Sequence, residues 1–593
     1  MKAIKLTVTI KLFTPLHVGG EPGEDTNTAY ILLGADERAY YPGTAFKGKV
    51  RHYVQQLQKN NCEFADESNH KCRLPKDCRC SYDSPVCRLF GLEGNARGSL
   101  FFSDFHALEE PLLDIRAGNS MDRCRRVTED EKLFKTESAV IRELVGYVVG
   151  NASDADIALL KKSIALIQQI GGNTSRGFGW LDGDIMVSEE ELDSLDSCSA
   201  DVNRDVCLTN CVKVKLTPKS PLLIGTHTTQ SNFRDTQCIV PGSVMRAAFA
   251  RAICNQDGTD DPSTNGIKRD SQDTGFPNLR QIFSELRFSV LNTGLQPEPY
   301  PITMRKCKVN KEHIMVDVLA MLLNKALGNN ETEEGCRECH GRLEKVEPYE
   351  SFYRCLDNCR LTVTSTHTEM DKTRGTSQDG RLYTVRAIAP GVIDFHGTIN
   401  IPDRELNMNE LALLCQSPLH VGAMTTTGFG ECTIEFKPLV ETQDDELTSQ
   451  IIKRIEEFNK LIDSDDIFVP LTLMSDAIVD LVEPETDDYT RAYASLVSPL
   501  ILERVITKPR IWRGFDTSEK HVSEKPPRFL LQAGSVLVVR VDDLGAQNIN
   551  ELLRLERNGI GNVNETKDGY GAVRVAHDNH IKYALAAKGG QSQ

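Results

Sequence analysis

The first ten residues set a two-residue rhythm: Ile4, Leu6, Val8 and Ile10 alternate with polar neighbours, the pattern of a strand with one buried face. A polar loop leads to a second strand over 29–33. Residues 39–51 then open a helix that reaches about Lys59, with Thr44 as the expected N-cap. Strand-like Ser99 to Asp104 follows, then a polar, hairpin-like stretch from Asn119 to Val140. A helical run from Ile157 to Ile170 and an alternating segment from Leu181 to Val187 close the unit. Strands with few helices in βαββαβ-like order fit an antiparallel sheet backed by helices, an α+β fold.

The plan recurs. Val212 to Leu216 is a strand, and Ser220-Pro221-Leu222-Leu223-Ile224-Gly225 echoes Thr14 to Gly19. Ile239-Val240-Pro241-Gly242-Ser243-Val244-Met245-Arg246 echoes Tyr40 to Lys47. A third unit starts at Phe468 to Leu473, with Ala533-Gly534-Ser535 as a degraded copy of the Pro-Gly-Ser turn. The expected boundaries are a first domain at 1–190, a linker at 191–210, a second domain at 211–440, an acidic, partly helical linker at 441–466, a C-terminal half-domain at 467–580 and a tail at 581–593.

Each unit ends on a glycine-rich loop between a helix and a strand. The first runs from Gly171-Gly172 through Arg176-Gly177-Phe178-Gly179, the second from Gly422 through Gly428-Phe429-Gly430, and a looser third from Gly559 through Gly569-Tyr570-Gly571. Glycines let successive amides approach an anion, and an arginine such as Arg176 adds a planar cation suited to phosphate. No Gly-Lys-Ser/Thr follows and the order is helix then strand, so neither a Walker loop nor a Rossmann turn is present. A tight turn before a strand is the plain alternative for any one copy; the recurrence favours the phosphate reading.

Composition narrows the classes. The chain has 593 residues, 40% hydrophobic and 26% charged, ordinary for a folded protein. No apolar run approaches membrane-spanning length and the N-terminus does not read as a signal peptide, so a cytoplasmic setting without membrane contact is expected. A net charge of −16 argues against a uniformly basic nucleic-acid binder and leaves room for local cationic surfaces.

The 18 cysteines gather at short spacings, which points to metal rather than disulfides. Cys336-x-x-Cys339 followed by Cys355-x-x-x-Cys359 supplies four soft ligands for a closed tetrahedral Zn²⁺, a structural site. A looser group offers a second site from four of His70, Cys62, Cys72, Cys78, Cys80 and Cys87. In the loop after strand one, Asp25 is a candidate for holding a divalent metal or orienting water, and His17 for general-base work. A solvated carboxylate and a structural histidine are the bland alternatives. Lys47, Lys49 and Arg51 lie near a helix start, where the dipole disfavours cations, so phosphate contact is the expected reason for them. Arg116, Arg123, Arg125 and Arg126 gather around the hairpin, and Arg305, Lys306 and Lys308 form a further cationic group.

These motifs resemble the RAMP superfamily of CRISPR-associated proteins, in type III effector complexes. Tyr41-Pro42-Gly43-Thr44-Ala45-Phe46-Lys47-Gly48, Arg97-Gly98-Ser99-Leu100-Phe101-Phe102-Ser103-Asp104 and Gly171 to Gly179 are similar to the pattern of the backbone subunit over roughly 1–190. Residues 211–580 resemble the type III-D subunit related to the one that caps the 5′ handle of the guide, through Cys336-Arg337-Glu338-Cys339-His340-Gly341 and Ser365-Thr366-His367-Thr368-Glu369-Met370-Asp371-Lys372-Thr373-Arg374.

The resemblance implies tandem RRM-like (ferredoxin-like) RAMP domains with zinc-binding insertions, fused in one chain. It implies guide CRISPR RNA and target RNA as ligands, with backbone subunits and the large polymerase-like subunit among the partners. The glycine loops and Pro-Gly-Thr/Ser helix starts, including Arg246, would grip guide phosphates, and the hairpin over about 116–140 would wedge between guide and target. His367, Arg374 and Tyr383 are candidates for handle recognition. Many type III backbone subunits cut target RNA with an aspartate after strand one and Mg²⁺ or Mn²⁺; here Asn27 stands at that position, with Asp25 two residues away. The second unit's equivalent loop has Asp235. The expected function is therefore a guide-RNA-binding scaffold; the rivals are a metal-dependent target-RNA endonuclease through Asp25, a precursor-processing endonuclease through His17, and a purely protein-binding scaffold.

Overall fold

The computed structural model describes residues 2–20, 28–34, 38–58, 84–92, 96–122, 124–191, 208–225, 232–257, 267, 275–296, 298–329, 335–350, 361–370, 377–402, 404–416, 418–439, 444–479, 489–512, 515–516, 523–524 and 526–585. The chain is a mixed α and β protein whose main sheets are antiparallel.

In the first unit Lys2–Lys11 is the central strand, and Ile4, Leu6, Val8 and Ile10 are fully buried on one face, as the alternation dictates. It pairs along its whole length with Glu143–Ala152 and on its other side with Met186–Glu191. Leu100–Phe102 adds to the far side of Glu143–Ala152. Numbering these segments by their order in the chain, the sheet reads fourth, first, third, second. The helices Gly43–Leu57 and Asp154–Ala165 cover one face through Phe46, Val50, Val54, Ile157, Leu160 and Ile164. Each such buried aliphatic contributes about 1.5–3 kcal/mol over leaving it in water.

Local chemistry sets the helix ends. Ser153 caps the second helix, its side chain accepting from the Asp156 amide while the Asp156 carboxylate reaches back, a reciprocal capping box. The first helix is different: the cap residue is Pro42, Thr44 makes no cap bond, and the Asp104 carboxylate accepts from the Gly43 amide at 2.7 Å. Thr44 fails as a cap because the Phe102–Asp104 backbone crosses the helix start. A Cβ on Gly43 would lie 2.5 Å from the Ser103 carbonyl oxygen, so only glycine fits there.

The second unit repeats the order. Cys211–Pro218 is central, flanked by Phe395–Asn400 and Glu431–Pro438, with Arg287–Phe288 outermost and helices Gly242–Asp257 and Met408–Cys415. The third does so again with Ile467–Leu473 between Val536–Val541 and Val573–Val575, and Ile501–Ile506 outside. The stretch expected as an acidic linker contributes the helix Asp444–Asn459, whose Ile451 and Ile455 sit in the third core beside Leu552 and Leu555 of Ala546–Asn558. An acidic outer face hid an apolar inner one. In the segment expected as tail, residues 581–585 are tied down: Asp317 donates its amide to the Tyr583 carbonyl and accepts from Leu585.

Between the second and third strand segments of every unit stands a hairpin: Leu112–Asp122 with Val127–Val140, Thr362–Met370 with Ser377–Ile388, and Pro509–Trp512 with Arg528–Leu531. The second unit also carries an insertion, a small sheet of Met304–Cys307, Val316–Asp317 and Leu343–Lys345 with the helix Leu319–Ala326. Leu319 and Leu323 of that helix pack on Phe468, Val536 and Val538 of the third sheet, in one cluster with Phe458 at the end of the helix Asp444–Asn459.

Candidate nucleic-acid interface and metal centre

The first hairpin projects: nearly all of Leu112–Asp122 is exposed on both faces, including Leu112 at 74% and Ile115 at 55%. Its tip is an Asx turn in which Asp122 Oδ1 accepts from the Cys124 and Arg125 amides, and Arg126 takes the left-handed conformation at φ 57°. A bare two-stranded ribbon is marginal in water, and exposed apolar side chains along one mark a contact surface. The base is anchored by Thr28–Ala29, which pairs in parallel with Lys135 and Thr136.

At that base the hairpin and the first glycine loop exchange arginines. The Arg116 guanidinium of the hairpin sits 5.1 Å over the Phe178 ring of the loop, and Arg176 of the loop sits 4.8 Å over the Phe134 ring of the hairpin. Arg116, Arg125, Arg126 and Arg176 are all exposed. The second unit places the same parts together: His367 and Tyr383 of its hairpin stack at 5.2 Å, Phe429 of its glycine loop packs 6.1 Å from His367, and Arg234 lies 5.0 Å over the Tyr383 ring. Burial and then the Arg234 charge push the His367 pKa down to about 4, so the ring is neutral at pH 7. Two clusters of cation and aromatic faces thus stand at equivalent places, a chemistry suited to phosphates and unstacked bases.

The glycine loops do not offer the open amides expected of them. In the first, Gly172 donates to the His17 carbonyl at 2.7 Å, Gly179 to Pro15 at 2.9 Å and Gly177 to Thr174 at 3.1 Å. In the second, Ala423 donates to Leu223 and Gly430 to Pro221, both at 2.8 Å. The glycines serve instead to close a tight turn. Gly171, Gly177 and Gly179 all have positive φ, as do Gly422, Gly428 and Gly430. Of the two loops the first presents a cation, the exposed Arg176, while Phe178 and Phe429 are buried against the hairpins.

Several expected phosphate contacts have other work. Lys47, 8% exposed, donates its Nζ to Thr426 Oγ1 of the second loop at 2.9 Å. Arg246 pairs with Asp568 and donates to the carbonyls of Phe283 and Lys567. Lys49 donates to the Gln169 carbonyl, and burial lowers its pKa. Arg51 is half-buried on the first helix. Lys306 pairs with Glu350, and Arg305 donates to the Ile302 carbonyl at 2.7 Å. His17 is 5% exposed, and its Nδ1 donates to the Glu137 carbonyl at 2.7 Å, the setting of a structural histidine. Asp235 is held by Arg386. Asp25, Asn27, Arg123 and Arg374 lie outside the described residues.

Asp104 sits where the second loop meets the first unit. Burial, with Glu431 nearby, raises its pKa to about 7 against the pull of the Gly43 amide. Glu431 is itself raised by burial and accepts from Tyr147. A carboxyl with a raised folded-state pKa contributes stability that is present in full below about 3.8 and gone once pH has risen through about 7. Asp104→Asn keeps an oxygen for Gly43 and removes the charge. It should stabilise the protein at pH 8 by about 1–3 kcal/mol and make no difference at pH 4; urea unfolding at the two pH values measures this, and an equal gap at both would refute it.

The insertion brings Cys307, His313, Cys336 and Cys339 together, their ligand atoms all within 4.8 Å of one another. Cys307 and Cys339 sulfurs are 3.5 Å apart, and His313 Nδ1 is 3.3 Å from the Cys336 sulfur. A tetrahedron with Zn–S near 2.3 Å has edges of about 3.7 Å, so three thiolates and an imidazole fit a structural zinc with no open position. The Asn310 amide points at the Cys307 sulfur and is the main reason its thiol pKa is lowered. Cys336 and Cys339 were expected as ligands. Cys307 and His313 were not, although Cys-x5-His ahead of Cys-x2-Cys is visible in the sequence. Cys355 and Cys359 lie outside the described residues, as do His70, Cys62, Cys72, Cys78 and Cys80; Cys87 is half-buried on the helix Pro85–Phe90.

No helix among the described residues is long and apolar enough to cross a membrane. No curated protein matches the chain. A family model does: that of the RAMP superfamily matches residues 9–182 and 215–433, covering the first two units.

Proposed function

The chain belongs to the RAMP superfamily, whose members bind CRISPR RNA within effector complexes, and from that membership we propose that it is a guide-RNA-binding scaffold subunit of a type III interference complex. In this reading the three units are ferredoxin-like, the first takes the place of a backbone subunit and the second that of a subunit capping the 5′ handle. One observation carries the proposal: the paired cation–aromatic clusters, Arg116, Phe134, Arg176 and Phe178 in the first unit and Arg234, His367, Tyr383 and Phe429 in the second, each at the root of a hairpin.

The strand's phosphates meet arginines and its splayed bases meet the half-buried rings of Phe134, His367 and Tyr383, with Phe178 and Phe429 packed beneath them, while the hairpin's exposed leucines and isoleucine wedge between guide and target. Neutral His367 stacks without adding charge. Such a grip tolerates sequence, as a subunit serving many guides requires. It also reconciles RNA binding with a net charge of −16, because Arg116, Arg176 and Arg234 supply local cation at the hairpin roots. Asp25, on which the rival slicing role with Mg²⁺ or Mn²⁺ rests, lies outside the described residues, and His17, on which the processing role rests, donates to the Glu137 carbonyl.

The test is purification of the native complex and sequencing of its RNA, followed by titration of the purified chain with a single guide. RNA of defined length should co-purify. Arg234→Ala with Tyr383→Ala should weaken guide binding about 100-fold, taking ~1–3 kcal/mol per stacked base. The log–log salt slope should fall by about 0.7 for each phosphate that is no longer neutralised. RNA-free complex, or unchanged affinity in the double variant, would reject the proposal.

A further inference from the structure

One face of the second unit's sheet packs into its core through Val212, Val214 and Leu216, so by alternation Lys213 and Lys215 stand on the reverse face. In the third unit the reverse face, carrying Phe468, Val536 and Val538, is apolar and covered by the insertion helix. In the second it is polar and cationic. Two rows cross it in register: Asn292, His396, Lys215 and Glu435 in one, and Thr398, Lys213 and Lys437 in the next.

The rows treat charge differently. Lys215 is neutralised twice, by Asp394 at 3.2 Å and by Glu435 at 3.7 Å. Lys213 and Lys437 stand directly opposite each other and are both exposed, and neither makes an ion pair or hydrogen bond among the described residues. Like charges directly opposite on paired strands are destabilising, and a bound anion relieves them. A cavity of about 230 Å³ opens there, lined by Lys213, Asn292, Thr293, Gly294 and His396. Asn292 brings to its wall an Oδ1 that is shut off from solvent and has no hydrogen-bond partner, which costs free energy until a donor reaches it.

We infer that this cavity binds a free ribonucleoside monophosphate. Lys213 and His396 hold the phosphate, and Lys437 adds charge on the same face. A ribose hydroxyl donates to Asn292 Oδ1 once the carboxamide turns about χ2. At about 230 Å³ the cavity is smaller than the ~300–1,000 Å³ of drug-sized ligand pockets, which limits it to one nucleotide. A strand is the wrong occupant, because its next phosphates would meet Asp394 and Glu435 around Lys215. The inference does not rest on guide binding: neither hairpin-root cluster contributes a residue to the cavity.

The test is calorimetric titration of the purified full chain with AMP, which should give one saturable site per chain. Adenosine, which lacks the phosphate, and inorganic phosphate, which lacks the nucleoside, should each bind about tenfold more weakly or worse. Lys213→Glu and Asn292→Ala should each weaken AMP about tenfold as well, the effect of one lost polar contact. Lys213→Glu sets an opposite charge against Lys437, so this variant should melt no lower than the parent, and its lost site is then not a lost fold. Its affinity for guide RNA should be unchanged. AMP that fails to bind the parent chain, or that binds Lys213→Glu equally well, would overturn the inference. So would displacement of AMP by a 5′-phosphorylated RNA, or guide affinity that falls in Lys213→Glu, because either result would make the face part of the RNA path.

Discussion

Cys339→Ser, or prolonged chelation, should lower the stability of the chain by on the order of 5 kcal/mol, below the 10–16 kcal/mol seen when a zinc site is the whole of a small fold. The loss follows from what the insertion holds. Three sulfurs and one imidazole join Met304–Cys307 to the 335–341 turn, where His340 has φ 54° and a Cβ on Gly341 would press 3.2 Å from the Cys339 sulfur. Without a metal, three thiols crowd within a few ångströms and the turn is left to its own backbone bonds, Cys336 to Gly341 and His340 to Cys336. The helix Leu319–Ala326 then loses its footing on Phe468, Val536 and Val538, and the buried pair His580 and Asp317, 3.1 Å apart, loses its shelter. Atomic emission should give one zinc bound at this cluster, with the first melting transition lower by at least 10 °C in Cys339→Ser. Cys124→Ser, on the exposed hairpin tip, should change neither. Metal-free protein that melts normally would remove the site from consideration.

Gly430→Ala should cost about 3–5 kcal/mol, among the larger single-residue effects available outside the metal centre. A Cβ there would lie 2.0 Å from the Val421 carbonyl oxygen, and φ is +76°. The neighbouring atom is backbone, and the Val421 amide is itself bonded to the Gly430 carbonyl at 2.7 Å, so nothing can swing aside. Gly183→Ala is the matched control. It has φ +83° but nothing within 4 Å of the added carbon, so it should bear only the conformational cost of about 1 kcal/mol. Urea unfolding of the two variants measures the gap. Equal losses would mean that the loop relaxes and that the closeness of Gly430 to its neighbour is not what selects glycine.

Much of the framework is legible in the chain. Ile4, Leu6, Val8 and Ile10 announce the central strand, and the recurrence of Gly-Phe-Gly and Pro-Gly-Thr/Ser announces the repeat. What the loops do is not legible. Gly179, Gly430 and Gly571 read as anion-binding positions because glycine is equally consistent with an open amide and with a carbonyl pressed against the missing side chain. Only the Ile170, Val421 and Ile560 oxygens, 1.8–2.0 Å from where a Cβ would sit, distinguish the two. Lys47 and Arg246 read as phosphate ligands for a similar reason: a cation near a helix start needs an anion or acceptor, and its partner comes from another unit hundreds of residues away. The cation–aromatic clusters are half visible. Arg116, Arg176, His367 and Tyr383 stand out in the sequence, whereas Phe134, Arg234 and the roles of Phe178 and Phe429 depend on a hairpin folding back over a loop. His313 escapes any reading built on close cysteine pairs, because the fold rather than the spacing carries it to Cys336.

The acidic cluster of Asp104, Glu431 and Tyr147 has a bearing on why the first two units share a polypeptide. Two separate proteins meeting across raised carboxyls would have to supply that desolvation from a dilute encounter. Covalent tethering through 192–207 replaces the encounter with an effective concentration on the order of millimolar, so the seam stays shut even where its carboxyls are charged. Proteolysis confined to that tether should therefore leave both halves folded at pH 5 and let them drift apart at pH 8.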